Sequence, residues 1–331
     1  MELQQLNQNH AARWRKAIWL ILTALIGVCL IGVAAGEQWI WPLSSLSEFE
    51  SLLVWQLRLP RVVAAFAVGA MLATSGASLQ VVLGNPLAEP GILGVSGGAS
   101  LFVIILMFFF PHFTHPYLMM VLAIAGALVF TFILVSLSAW RRLTTARMLL
   151  IGIALGILAN SVVTWVFYFS ADMNLRQLLY WLMGSVSGIT WPQLSILLLL
   201  FPVVAWLCTQ GRLLDTLLLG DVMASQLGVD TRAVRLKLIA VIAVLVGGSV
   251  ALAGVIGFIG LVIPHILRLW IGTEHRYLLP LSALAGGGLL VFADTLSRLL
   301  LVSAELPVGV VTATLGAPVF VWLLLRGDSD A

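Results

Sequence analysis

The chain has 331 residues, 61% of them hydrophobic and 9% charged, with a formal net charge of +3. Soluble domains carry roughly 25% charged residues, so this composition excludes them, and a charge this small gives no electrostatic case for a nucleic-acid partner. Strand-period alternation is absent, which removes the transmembrane β-barrel, and the expected fold class is all-α: one polytopic transmembrane domain over 1–331 with about ten helices.

The first span is expected over about 17–35. Arg13, Arg15 and Lys16 precede it and place the N-terminus in the cytoplasm. Its apolar part is too long for a signal-peptide core, so it reads as a retained helix. Glu37, Trp39, Trp41, Glu48 and Glu50 read as an outer loop. Arg58-Leu-Pro-Arg61 opens the second helix, with Pro60 in a first turn that needs no N–H there. Gly69, Ala73, Gly76, Ala77 and Ser78 then let neighbouring helices approach closely in lipid. Residues 84–91 form an inner turn cluster with a lone carboxylate, Glu89.

Spans over about 92–110 and 117–139 flank an outer break at Pro111–Pro116, and Arg141, Arg142 and Arg147 mark the return to the cytoplasm. The fifth span runs out over about 148–169, a short outer helix and turn fill 172–192, and the sixth returns over 193–209. Residues 211–237 form a cytoplasmic segment, followed by a span at about 238–253. Gly254, Gly257, Gly260 and Pro264 mark a broken eighth helix ending near Arg268, whose free backbone groups need a protein-lined setting. The ninth rises to about 300 and the tenth covers 307–325. Thirteen of the 17 Lys and Arg residues then lie inside, as the positive-inside rule requires.

Within the cytoplasmic segment, Asp221 after Gly220 reads as a helix start whose carboxylate satisfies first-turn N–H groups. Gly228 reads as its left-handed stop. Met223 and Leu227 share one face of this helix of about two turns, which is too short to stand alone in water. It is either a hairpin connector or a docking helix for a cytoplasmic partner.

Catalytic signals are weak. The only lysines are Lys16 and Lys237, so no Gly-x-x-x-x-Gly-Lys phosphate loop exists, and no His-Glu-x-x-His helix is present. Cys29 and Cys208 sit in apolar runs and indicate neither a disulfide nor a metal framework. His265 is a lone histidine, read as a structural hydrogen-bonder. Arg58, Arg61 and Arg298 are expected at the outer interface, since charge at a span centre is costly. Lipid-headgroup contact, an Arg298–Asp294 pair one turn apart, and a basic rim for a partner's carboxylates all remain open there.

Leu219-Gly-Asp-Val-Met-Ala-Ser-Gln-Leu-Gly228 resembles the coupling segment of the iron-siderophore/cobalamin (FecCD-type) permease family of ATP-binding-cassette (ABC) importers. Arg58-Leu-Pro-Arg61, Asn85-Pro-Leu-Ala-Glu-Pro-Gly91, Gly257-Phe-Ile-Gly-Leu-Val-Ile-Pro-His265 and Leu306-Pro-Val-Gly309 match in the same order. Ala35–Trp39, Leu175–Leu178 and Leu315–Phe320 are most similar to the cobalamin branch. The resemblance implies a type II importer permease in the bacterial inner membrane, surrounded by lipid and paired with itself. It implies two ABC ATPase subunits below, which use ATP and Mg, and a periplasmic substrate-binding protein above. The permease itself would be non-catalytic and bind no cofactor.

By motif match, Gly220, Asp221, Val222, Met223, Ala224, Gln226, Leu227 and Gly228 would contact the ATPase, and Arg58, Arg61 and Arg298 would receive the binding protein. Asn85, Leu87, Thr144 and Thr145 would form the cytoplasmic gate, with Ala146 where a small hydroxyl residue is usual, and Asp221 stands in place of the more familiar Glu. Asn160, Ser161 and Thr164 would line the path. Cobalamin is the implied substrate, with siderophore or haem as the family alternative. An ion-coupled secondary carrier is the competing class outside the family.

Overall fold

In lipid every backbone group must be satisfied inside the protein, and this sequence meets that demand with helices. The structure, a computed structural model, describes residues 2–36, 38–42, 44–91, 93–141, 145–300 and 305–327. In chain order these form α1 (Glu2–Ala34), α2 (Glu48–Leu52), a π-helical turn (Leu53–Arg58), α3 (Leu59–Val82), α4 (Val95–Phe109), a 3-10 turn (Pro111–Phe113), α5 (Pro116–Arg141) and α6 (Thr145–Tyr168). The chain continues through α7 (Asp172–Leu182), α8 (Trp191–Leu194), α9 (Leu197–Thr209), α10 (Gly211–Leu218), α11 (Asp221–Gln226), α12 (Thr231–Ala253), α13 (Ile259–Ile271), α14 (His275–Leu299) and α15 (Val308–Gly327). Among the described residues, seven helices are long and apolar enough to cross a membrane, and with the shorter apolar helices at 95–109, 259–271 and 308–323 the apolar helices number ten, in keeping with the expected count.

Three helix starts differ from the sequence reading. Helix α1 begins at Glu2, well before the apolar stretch. The second helical run begins at Glu48, because Ser47 and Glu50 form a capping box; Glu48 and Glu50 belong to a first turn, not to a loop. Pro60 therefore lies inside a continuous helical run, and the π turn before it is how that run absorbs the ring. Leu59 N–H bonds back to Val54 O, so Trp55 O could next be met only by residue 60, a proline without an N–H. The Trp191 indole N–H fills that place at 2.8 Å. Helix α12 begins at Thr231, seven residues early, because Asp230 accepts the Ala233 N–H at 3.0 Å as its N-cap. Arg232, Arg235 and Lys237 are thus helical.

Helix α3 is the axis of the bundle, buried along almost its whole length and packed on α14, α12 and α13. Its small residues act as the sequence indicated. A methyl at Gly69 would stand 2.2 Å from the Gly286 carbonyl oxygen, and one at Gly76 would stand 2.0 Å from that of Gly260. The break before α13 is also real: residues 254–257 are non-helical, and Phe258 has φ 70°. Inside α13, Pro264 leaves Gly260 O without its helical donor, and Gln80 Nε2 of α3 donates to it at 3.2 Å. Two prolines thus free two carbonyls, and two side chains from other helices satisfy them.

Candidate functional site

On the outer side the structure gathers Arg58, Arg61 and Arg298 around one open depression of about 460 Å³, with Gly36, Gln38, Ser187 and Glu305. Each of their guanidiniums bonds to groups of the protein itself. Helix α1 ends here, and the last carbonyls of a helix lack internal partners and carry negative charge. Arg58 donates to Ala34 O at 2.7 Å and to Gln38 O at 2.8 Å. Arg298 donates to Ala35 O at 2.9 Å and Gly32 O at 2.8 Å, and its Nε lies 3.3 Å from Asp294, the one-turn pair read from sequence. Arg61 is buried and bridges Asp294 at 2.8 Å and Glu305 at 2.9 Å. Burial alone would push the Glu305 carboxyl up; hydrogen bonds and charge from Arg61, with the Ser187 hydroxyl, outweigh it and hold the group below its ordinary range. Glu305 keeps 41% of its side chain exposed, so the depression presents a carboxylate beside its cations.

At the cytoplasmic end, α11 starts at Asp221 as expected, but for another reason. Gly220, at φ 89°, makes the turn, and no side chain caps the helix. The Asp221 carboxylate instead accepts Arg235 Nη2 at 2.8 Å, and Arg235 Nη1 donates to Val82 O at the end of α3. The stop is as read: Gly228 has φ 81°, with Val229 N–H on Ala224 O and Gly228 N–H on Ser225 O, a Schellman closure. Ala224 is buried toward the bundle, while Val222, Met223, Gln226 and Leu227 face outward. Val222 is 69%, Met223 55% and Leu227 64% exposed, an apolar knob on a helix too short to persist unaided. Helix α10 is pinned beside it: Asp215 accepts the His275 backbone N–H at 3.1 Å and meets its ring Nδ1 at 2.7 Å.

Of the residues expected at a gate, Asn85 and Leu87 share one tight turn, with Asn85 Oδ1 accepting the Leu87 N–H at 2.8 Å. Leu87 is exposed. Thr144 and the side chain of Thr145 lie outside the described residues. On α6, Asn160 lines a cavity of about 530 Å³ with Ser96, Ser100, Gly97 and Gly156. Ser161 and Thr164 are exposed nearby, their hydroxyls donating to Ile157 O at 2.9 Å and Asn160 O at 2.8 Å. His265 packs edge-on against Phe320.

Sequence reasoning missed Glu305, Arg235 and Gln80 as members of these arrangements. Glu305 and Gln80 meet partners 244 and 180 residues away along the chain, and Arg235 joins Asp221, 14 residues away, to Val82, 153 residues away, beyond any spacing rule.

The chain matches the FecCD transport family over residues 18–326. It is 56% identical over 330 residues, covering 100% of both chains, to the vitamin B12 import system permease protein BtuC of Vibrio cholerae. It is 51% identical over 322 residues, covering 97% of this chain and 96% of the other, to the BtuC protein of Serratia proteamaculans. A solved chain described as an inward-facing conformation of a metal-chelate type ABC transporter superposes with a TM-score of 0.86 at 30% identity, over 94% of this chain and 99% of that one.

Proposed function

Since the chain belongs to the FecCD transport family, we propose that it is the membrane-spanning subunit of an ABC importer that carries vitamin B12 across the bacterial inner membrane. The observation that carries this reading is the 56% identity to a vitamin B12 permease along the whole of both chains. The permease performs no chemistry; a separate ATPase hydrolyses ATP, and Val222, Met223 and Leu227 present the apolar contact through which that work enters. Two copies pair, with the path between them. Polar side chains on a lipid face are costly, which favours a wet path beside exposed Asn160, Ser161 and Thr164. The arginine-lined depression receives carboxylates of a periplasmic binding protein at its rim.

The test is uptake by proteoliposomes holding this chain, its ATPase and its binding protein. Labelled cyanocobalamin should enter only with ATP. Uptake driven by an ion gradient without the ATPase overturns the importer reading, and transport of a ferric siderophore in place of cobalamin overturns the substrate.

A further inference from the structure

Two sequence motifs that the proposed function leaves idle, around Glu89 and around Phe258, meet in the structure. Phe258 is the one non-glycine residue with positive φ among the described residues. Such a backbone persists in a phenylalanine only where the surroundings fix it. Here the Phe258 N–H donates to Glu89 Oε1 at 2.6 Å. No ion pair reaches Glu89 among the described residues, so a partly buried carboxylate is committed to one backbone donor. The inner turn carrying Glu89 also carries Asn85 and Leu87, closed by Ala88 N–H on Asn85 O at 3.1 Å.

The other end of the same non-helical stretch is tied to the outside. Ser185 N–H donates to Ala253 O at 2.8 Å, and Gly309 N–H to Gly184 O at 3.1 Å. A methyl on Gly254 would stand 2.1 Å from Trp181 O at the end of α7 and 3.1 Å from Gly184 Cα, so α7 and the outer hairpin that follows it, residues 183–188, rest directly on the backbone here. Ser187, on that hairpin, lines the arginine depression. Residues 253–258 therefore touch the outer hairpin at one end and the inner turn at the other, with no helix between to absorb a shift.

We propose that this stretch is the mechanical link between the outer docking side and the inner turn, and that Glu89 is the positioning residue that holds the turn to it. The proposal rests on the importer reading. A displacement of the 183–188 hairpin when a partner docks moves Ala253 through a backbone bond; Phe258 follows, and Glu89 carries Asn85 and Leu87 with it. Gln80 on Gly260 O, at 3.2 Å, is a second stitch beside this contact, tying the end of α3 just before the inner turn to the start of α13 just after Phe258.

The experiment uses the full transporter with ATPase and binding protein, Cys29 and Cys208 replaced by alanine, and a reporter cysteine at exposed Pro86. Maleimide modification of Pro86→Cys is timed with and without binding protein and ATP, beside cobalamin moved per ATP hydrolysed. In the parent the modification rate should change on docking. Glu89→Ala should keep docking and basal ATP hydrolysis within about twofold, abolish the docking-dependent change at the reporter, and lower cobalamin per ATP by about tenfold. Glu89→Gln keeps an acceptor oxygen and should retain most of both. Gln80→Met, which cuts the second stitch at similar volume, is scored alike should Glu89→Ala fail to assemble. A docking response at the reporter that survives both cuts overturns the link. Failure of the parent to move cobalamin strikes the substrate reading alone, because the reporter needs only binding protein and ATP.

Discussion

Gly76→Ala tests the tightest glycine approach among the described residues. The added methyl would sit 2.0 Å from Gly260 O and 2.5 Å from its Cα. Both are backbone atoms, so no rotamer change relieves the clash, and α3 and α13 must part by about 1 Å; overpacking of this kind costs about 1–3 kcal/mol. The same parting stretches the 3.2 Å bond from Gln80 to Gly260 O. Pro264 has already deprived that carbonyl of its helical donor, and a buried acceptor left unpaired costs about 1–3 kcal/mol more. The expected total is about 2–6 kcal/mol. Gly27→Ala on α1 is the control, since nothing lies within 4 Å of its new methyl, and exchanging Gly for Ala in an exposed helix gains up to about 1 kcal/mol. Thermal denaturation of detergent-purified protein, followed by size exclusion, should show Gly76→Ala melting well below wild type and Gly27→Ala at or above it. Equal midpoints for Gly76→Ala and wild type would refute the close α3–α13 approach.

Topology is checked by labelling: Thr114→Cys should react only from the periplasmic side and Val222→Cys only from the cytoplasmic side, and either reversed result removes the ten-crossing arrangement. Met223→Asp charges an exposed apolar knob and Gly228→Val forces a β-branched residue to φ 81°; both should insert normally and lose ATPase co-purification, whereas retained ATPase with normal uptake would make α11 a mere connector. Glu305→Gln should tighten docking of an acidic binding protein by about three- to thirtyfold, from removing one carboxylate about 8 Å away at an effective dielectric of roughly 20–60; unchanged affinity would mean the rim is not where the carboxylates land. Because the Glu305 carboxyl is held below its ordinary value, its pair with Arg61 stabilises fully above pH 4.5 and is lost as pH falls through the lowered value. Thermal midpoints of wild type and Glu305→Gln should therefore converge in acid, and parallel curves would contradict the pairing.

The crossings were legible because twenty apolar residues between cations have few other uses. The small residues of α3 were legible too, since lipid offers helices no other way to approach so closely. Asp221 shows the limit. Its position at a helix start follows from local rules, yet its carboxylate goes to Arg235, a partner fixed by tertiary packing. The arginines show it again: charge and depth placed them at the outer surface, but no spacing rule could say that α1 ends beneath them and that its last carbonyls accept their guanidiniums. Pro60 was read only in part: it does stand in the first turn of α3, but a π turn runs into it. A first-turn proline and a proline tolerated through a π turn look alike until Trp191 is seen donating to Trp55 O.

The short crossings bear on how the protein is made. At 1.5 Å per residue, α4 with 15 residues and α13 with 13 span about 20 Å, against a hydrocarbon layer of about 30 Å. Neither is long enough to partition from the translocon on its own account. Helix α13 emerges after α3, its main wall, is already in place. Helix α4 emerges before α5, α6 and α12, against which it packs. A nascent chain halted after α4 should therefore leave that segment uninserted, and one halted after α6 should carry it across. Labelling Phe110→Cys in the two arrested chains distinguishes this order from independent insertion, in which both would be protected alike.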